Sequence, residues 1–167
     1  SVMVGGDEAV LARALPAFEA FSLRVTRMGG VGAGQATKAV NQVMIGGIAE
    51  AVCEALAFGE ALGLPREQLL AVLTAGAANS WFLEKRGASM FEGRFDIGFK
   101  LGLLHKDLGI VQQMAAALGT RLPTVDAAHR DYSTLMAEGR GDDEISSLIR
   151  VKRRLFAHAS DPESGVR

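Results

Sequence analysis

Gly30-Val-Gly32-Ala-Gly34-Gln-Ala-Thr-Lys38-Ala-Val-Asn41-Gln42 carries more structural information than any other part of this chain. The glycines end an extended segment and open a long helix. No proline follows between Gly34 and Leu62, and apolar residues recur at Val40, Met44, Ile48, Val52 and Leu56, with Val43, Ala51, Ala55 and Leu62 offset. That is a helical period. The predicted helix runs about 29 residues, or ~43 Å, enough to span a domain. Gly46-Gly47 lies inside it, and each glycine costs roughly 1 kcal/mol against alanine, so a second helix is expected to approach closely there. Lys38, Asn41 and Gln42 fall at i, i+3 and i+4 and share one helical face beside the positive end of the helix.

The glycines do not read as a dinucleotide fingerprint. Their spacing is G-x-G-x-G, and helix continues where a Rossmann unit needs a second strand and an acidic residue. They read instead as a hinge between a sheet and the long helix.

Upstream, Val2 to Val4 is a short apolar run ended by Gly5-Gly6, and it predicts a strand. Asp7 is an N-cap for a helix to about Phe21, kinked or restarted at Pro16. Leu23 to Met28 alternates apolar and polar and predicts a second strand. Strand, helix, strand is a parallel βαβ unit. Two parallel strands cannot form a stable sheet alone, so the rest of that sheet is expected upstream.

Downstream, everything reads as helix. Gly63 ends the long helix, Pro65 starts one to about Ala75, and Asn79 or Ser80 caps a short one to Met90 or Phe91. Further helices are predicted from Lys100 to Leu118, from Leu122-Pro123 to Ala137, and from Asp142-Asp143-Glu144 to about Ala159. Residues 160–167 read as a tail.

Composition limits the function classes. The 167 residues carry 18 Lys and Arg against 19 Asp and Glu, a net charge of −1, which argues against nucleic-acid or anionic-membrane surfaces as partners. The one cysteine, Cys53, excludes an internal disulfide and suits a reducing compartment, so a cytoplasmic location is expected. No apolar run is expected to reach the roughly 20 residues of a membrane span, and no signal peptide is visible.

Several side chains are candidates for chemistry. Lys38, if buried, would have its pKa lowered toward neutrality and could exchange a proton with a substrate oxygen; the other reading is a solvated surface lysine. Lys106-Asp107 is either a surface ion pair or part of a site, with Phe99 placed i, i+7 from Lys106. His105, His129 and His158 have no ligand-like spacing, so no metal site is expected. Ser80 reads as a cap, Trp81 and Phe82 as core, and Cys53 as a small core residue.

Taken together, Gly32 to Gln42, the early Gly-Gly-Asp7-Glu8, Ser80-Trp81, Phe95-Asp-Ile-Gly-Phe99 and Lys106-Asp107-Leu108 resemble the motifs of the β-hydroxyacid dehydrogenases. That family includes 3-hydroxyisobutyrate dehydrogenase and tartronate semialdehyde reductase and, more distantly, 6-phosphogluconate dehydrogenase. The resemblance runs collinearly to about Leu155. It implies a mainly α fold: an all-helical domain like the C-terminal domain of 6-phosphogluconate dehydrogenase, preceded by a short βαβ remnant of a Rossmann sheet. Residues 1–30 would be the last part of an NAD(P)-binding domain and 31–159 the catalytic and dimerisation domain. It further implies NAD or NADP as cofactor, a small hydroxyacid or semialdehyde as substrate, and a homodimer or homotetramer.

Position by position, Lys38 matches the family's catalytic lysine. Asn41 and Gln42 match the amide pair that helps hold the substrate, with Gln42 a common variant of Asn. Phe99 and Asp107 match pocket residues, and Lys106 matches a lysine that reaches the cofactor. A non-catalytic dimerisation or scaffold module of the same fold is the alternative, and such a module has no need of Lys, Asn and Gln on one face.

Overall fold

The structure is a computed structural model that describes residues 1–96 and 98–157. It begins with strand β1 (Val2–Gly5), helix α1 (Glu8–Glu19) and strand β2 (Val25–Gly29). The strands pair in parallel, Val2 opposite Val25, Met3 opposite Thr26 and Val4 opposite Arg27. Asp7 caps α1 by accepting from the N–H groups of Ala9 and Val10. The helix passes through Pro16 as one run and stops at Glu19, so the expected restart does not occur.

The long helix is α2 (Ala33–Ala61), and it is the axis of the molecule. Helix α3 spans Arg66–Ala75, α4 Trp81–Glu92, α5 Leu101–Ala117 and α6 Pro123–Ala137. A 3-10 turn, Ile145–Leu148, leads into the last described helix, α7 (Ile149–Arg154). That helix is shorter than expected: Leu155 to Ala157 form a turn, and the rest of the predicted run to Ala159, with His158 and the tail, lies outside the described residues.

Helices α5, α6 and α7 pack around α2. The face of α2 that they cover keeps the predicted stripe at Val52 and Leu56 but departs from it at the start of the helix. Val40 and Met44 are exposed, whereas Ala39, Gln42, Gly46, Ala49, Cys53 and Leu56 are buried. Those positions step by three, four, three, four and three residues, a seam of mostly small side chains. Small residues win the interior because they let neighbouring helices approach. A Cβ on Gly46 would stand 3.1 Å from Leu108 Cδ2 and 3.4 Å from Ala128 Cβ. The close approach expected at Gly46-Gly47 is therefore made by α5 and α6.

Helix α2 also corrects one expectation. Over an 18-residue window its mean hydropathy is 1.3, so it is long and apolar enough to cross a membrane by length and composition alone. Its seam is spent on packing against three helices, which accounts for that hydropathy within a folded core.

Buried charges fasten the far end. Lys152 of α7 donates to Asp131 Oδ2 on α6 at 2.8 Å and to Glu50 on α2. Burial alone would lower the lysine's pKa, but the acceptors Asp131 and Glu50 outweigh it and hold the ammonium charged. Arg153 grips both oxygens of Glu60 at 2.6 and 2.9 Å and donates to the Met90 carbonyl at 3.0 Å, joining α7 to the ends of α2 and α4.

Candidate active site at the start of the long helix

The turn from β2 into α2 places the site. Gly32 adopts φ +90° at the N-cap, a left-handed conformation that favours glycine. Gly34 lies against β1, where a Cβ would fall 2.5 Å from the Met3 carbonyl oxygen. The glycines thus let α2 begin in contact with the sheet. The first turns of α2 consequently stand at the junction of sheet and helices.

Lys38, Asn41 and Gln42 do share one face, and hydrogen bonds join them. Lys38 Nζ and Asn41 Nδ2 each donate to Gln42 Oε1 at 3.0 Å. Gln42 is 1% exposed, and its Nε2 donates to Asp107 Oδ2 of α5 at 2.7 Å. Asp107 in turn pairs through Oδ1 with Lys106 Nζ at 2.9 Å. Gln42 is a buried relay: both ends of its amide are occupied, so it fixes Lys38 relative to α5.

Lys38 itself is exposed rather than buried. Among the described residues it has no carboxylate within ion-pair distance. Its ammonium stands 5.9 Å from the Phe99 ring centroid. Phe99 precedes α5 rather than sharing its face with Lys106, whose side chain points to solvent beside Asp107.

Two hollows meet at Lys38. The larger is a cavity of about 380 Å³ between α2, α4 and the 3-10 turn, with Ser80, Trp81, Arg86, Phe99 and Glu144 in its wall. The smaller, about 200 Å³, lies between Lys38, Gln42 and Asp107 and includes Gln35 and Ile110. Phe99 is thus on one side of the lysine and Asp107 on the other.

Trp81 departs from expectation. It is 66% exposed rather than core, because its ring lies over the cavity mouth with the Arg86 guanidinium 5.7 Å from its centroid; Phe82 is buried as expected. Ser80 does act as the cap of α4, accepting from Leu83 N at 3.1 Å. Arg86 and Glu144 are wall residues the sequence did not reveal. They pair at 3.2 Å, Glu144 is buried, and 58 positions separate them, so no local spacing announces the pair. Among the described residues no three His, Cys, Asp or Glu side chains gather as a metal-binding set.

The fold and this arrangement define a class: a mainly helical domain, entered from a parallel βαβ unit, with a held lysine at the junction. A family model described as NAD-binding of NADP-dependent 3-hydroxyisobutyrate dehydrogenase matches residues 32–152. A 2-hydroxy-3-oxopropionate reductase of Escherichia coli (strain K12) is 37% identical over 158 residues, covering 95% of this chain and 54% of that protein. Among solved structures, the 3-hydroxyisobutyrate dehydrogenase of Mycobacterium tuberculosis with L-serine aligns with a TM-score of 0.83 and 32% identity, covering 90% of this chain and 54% of that one. The 3-hydroxyisobutyrate dehydrogenase of Salmonella typhimurium aligns with a TM-score of 0.81 and 30% identity, covering 88% and 52%. The chain belongs to the 3-hydroxyisobutyrate dehydrogenase family of oxidoreductases. It spans about half the length of the curated relatives it matches.

Proposed function

We propose that this chain is the helical part of an NAD(P)-dependent hydroxyacid dehydrogenase or semialdehyde reductase, with Lys38 as its general acid and base. One observation carries the reading: the ammonium of Lys38 is free of carboxylates among the described residues and is held from below by a buried amide that is itself locked to Asp107. A lysine so held presents its proton in a fixed direction. In oxidation Lys38, as the neutral amine, takes the hydroxyl proton of the substrate; in reduction, as the ammonium, it returns one to the growing alkoxide. Asn41, exposed beside it, is placed to donate an amide hydrogen to the same oxygen. Gln42 and Asp107 orient the lysine, and Phe99 closes one side of the pocket.

The residues present fit a nicotinamide dinucleotide at one edge. The smaller hollow opens beside Lys38 and Asp107, and the exposed ammonium of Lys106 adjoins it through Asp107. Lys106 would hold the cofactor by its negative groups. The nicotinamide, when bound, supplies the hydride acceptor or donor.

Residues 1–30 are proposed as the end of a dinucleotide-binding domain and 31–159 as the catalytic and dimerisation domain. Supporting this, β1 and β2 form only a two-stranded parallel sheet among the described residues, and the relatives are about twice as long. Exposed apolar residues along α2, such as Val40, Met44 and Phe58, support a homodimer or homotetramer. The free, buried Cys53 fits a cytoplasmic location.

The test is Lys38→Ala in the protein as its gene encodes it, assayed with hydroxyacids and both nicotinamide cofactors. Turnover is expected to fall at least about a hundredfold, the lower range of general acid–base catalysis, with an unchanged melting curve. Near-wild-type turnover would sink the assignment.

A further inference from the structure

The larger cavity beside Lys38 is shaped for carbon. Three charged groups reach its wall: Lys38, Arg86 and Glu144. Arg86 and Glu144 pair at 3.2 Å and Glu144 also accepts from Ser146 N at 2.9 Å, while the buried Arg86 Nε has no hydrogen-bond partner among the described residues. The Ser80 oxygen is engaged in capping α4. The rest of the wall is Ile45 and Ile48, two and three turns along α2 from Lys38, with Trp81, Phe82, Phe99 and Ile145. The polar anchors of the wall are therefore Lys38 and Arg86, and the remainder is hydrocarbon surface.

Size points the same way. A cavity of about 380 Å³ falls in the ordinary range of small-molecule sites. Water held between isoleucine and aromatic side chains has few polar partners, and an apolar group that displaces it is favoured.

We propose that this site takes a hydroxyacid, or the corresponding oxo acid, whose non-reacting substituent is an alkyl or aryl group of about four or more carbons. Small polar hydroxyacids are the poorer substrates. This rests on the reading of Lys38 as the proton-transfer group. The hydroxyl sits at Lys38, and the substituent runs past Phe99 toward Ile48 and Ile145.

Trp81 makes the proposal measurable without turnover. It is exposed and lines the cavity, and comparison with Trp81→Phe isolates its share of the full-length protein's emission. The experiment uses the full-length protein and a series of 3-hydroxyacids from propanoate to octanoate, with glycerate and L-serine as polar members. Trp81 emission is expected to shift to the blue on adding the longer acids and to stay unchanged with glycerate. With NAD and NADP present, kcat/KM is expected to rise about threefold to fourfold for each added methylene until the cavity is full. Ile48→Trp, which occupies the cavity, is expected to lower kcat/KM for hexanoate-length substrates more than tenfold relative to the shortest member.

Fastest turnover of glycerate or L-serine, lost in Lys38→Ala, with no gain along the alkyl series, overturns this inference and leaves the dehydrogenase reading standing. A Trp81 shift with the long acids but no turnover of any member overturns the dehydrogenase reading instead.

Discussion

Gln42 is the residue on which the candidate site turns. It is uncharged, yet it is the most buried member of the polar face and links Lys38 to Asp107. Gln42→Leu would leave the Asp107 carboxylate without a partly buried donor and Lys38 without its acceptor. A stability loss of about 1–3 kcal/mol is expected by urea titration, with turnover reduced roughly a hundredfold through misplacement of the lysine. Full activity in that variant would show that Lys38 needs no support. A second residue-scale prediction concerns His105, whose ring stacks on His129 at 4.3 Å between centroids. The Ser133 hydroxyl donates to the His129 carbonyl at 2.7 Å, so His105 Nε2 carries the proton facing Ser133 Oγ at 2.9 Å. Burial, and then the neighbouring His129, push the His105 pKa below the usual histidine value. The unfolded chain therefore binds a proton more readily than the folded one. This contribution to stability is complete above about pH 6.5 and is lost as the pH falls from there through the folded value. Melting temperatures followed from pH 7.5 to 5 should decline, and His105→Gln should flatten the decline.

At the scale of elements, two junctions carry the architecture. The first is the contact of α2 with β1 through Gly34. A methyl group there meets backbone rather than a movable side chain, so Gly34→Ala should destabilise by about 1–3 kcal/mol, read from the urea midpoint. The second is the buried ammonium of Lys152 between α2, α6 and α7. Lys152→Met leaves Glu50 without its buried cation and Asp131 with only the exposed Arg130, and a loss of about 3–5 kcal/mol is expected. Burial, ahead of the lowering effect of Lys152, already raises the Glu50 pKa, so adding Glu50→Gln to Lys152→Met should restore part of that stability. No restoration would show that Glu50 carries no penalty once Lys152 is gone. These elements were largely legible beforehand. The strand–helix–strand start, the length of α2, the caps at Asp7 and Ser80, and the helix boundaries at Gly63, Pro65 and Pro123 follow from local backbone preferences, which act within a few residues.

Across the whole molecule, stability is unevenly distributed. Helix α1 has no buried residue and the strands have none, whereas α2, α5 and α6 contribute the fully buried Leu56, Leu104, Leu108 and Tyr132. In this chain the amides of β1, α1 and β2 should exchange hydrogen at least about tenfold faster than those of α5 and α6, measured by exchange mass spectrometry. Equal protection would mean that one cooperative unit spans both parts. The linear pattern by itself determined the helical class, the βαβ start, the glycine hinge and a face holding Lys38, Asn41 and Gln42, because each depends on neighbours in sequence. It could not settle which residues open the inward stripe of α2: hydropathy favoured Val40 and Met44, but Ala39, Gln42 and Gly46 face the crowding helices instead. Nor could it foresee that Trp81 stands exposed over a cavity, that Lys38 lies open rather than buried, or that Arg86 meets Glu144. Those outcomes belong to tertiary structure, since contacts between residues dozens of positions apart exist only once the helices have packed.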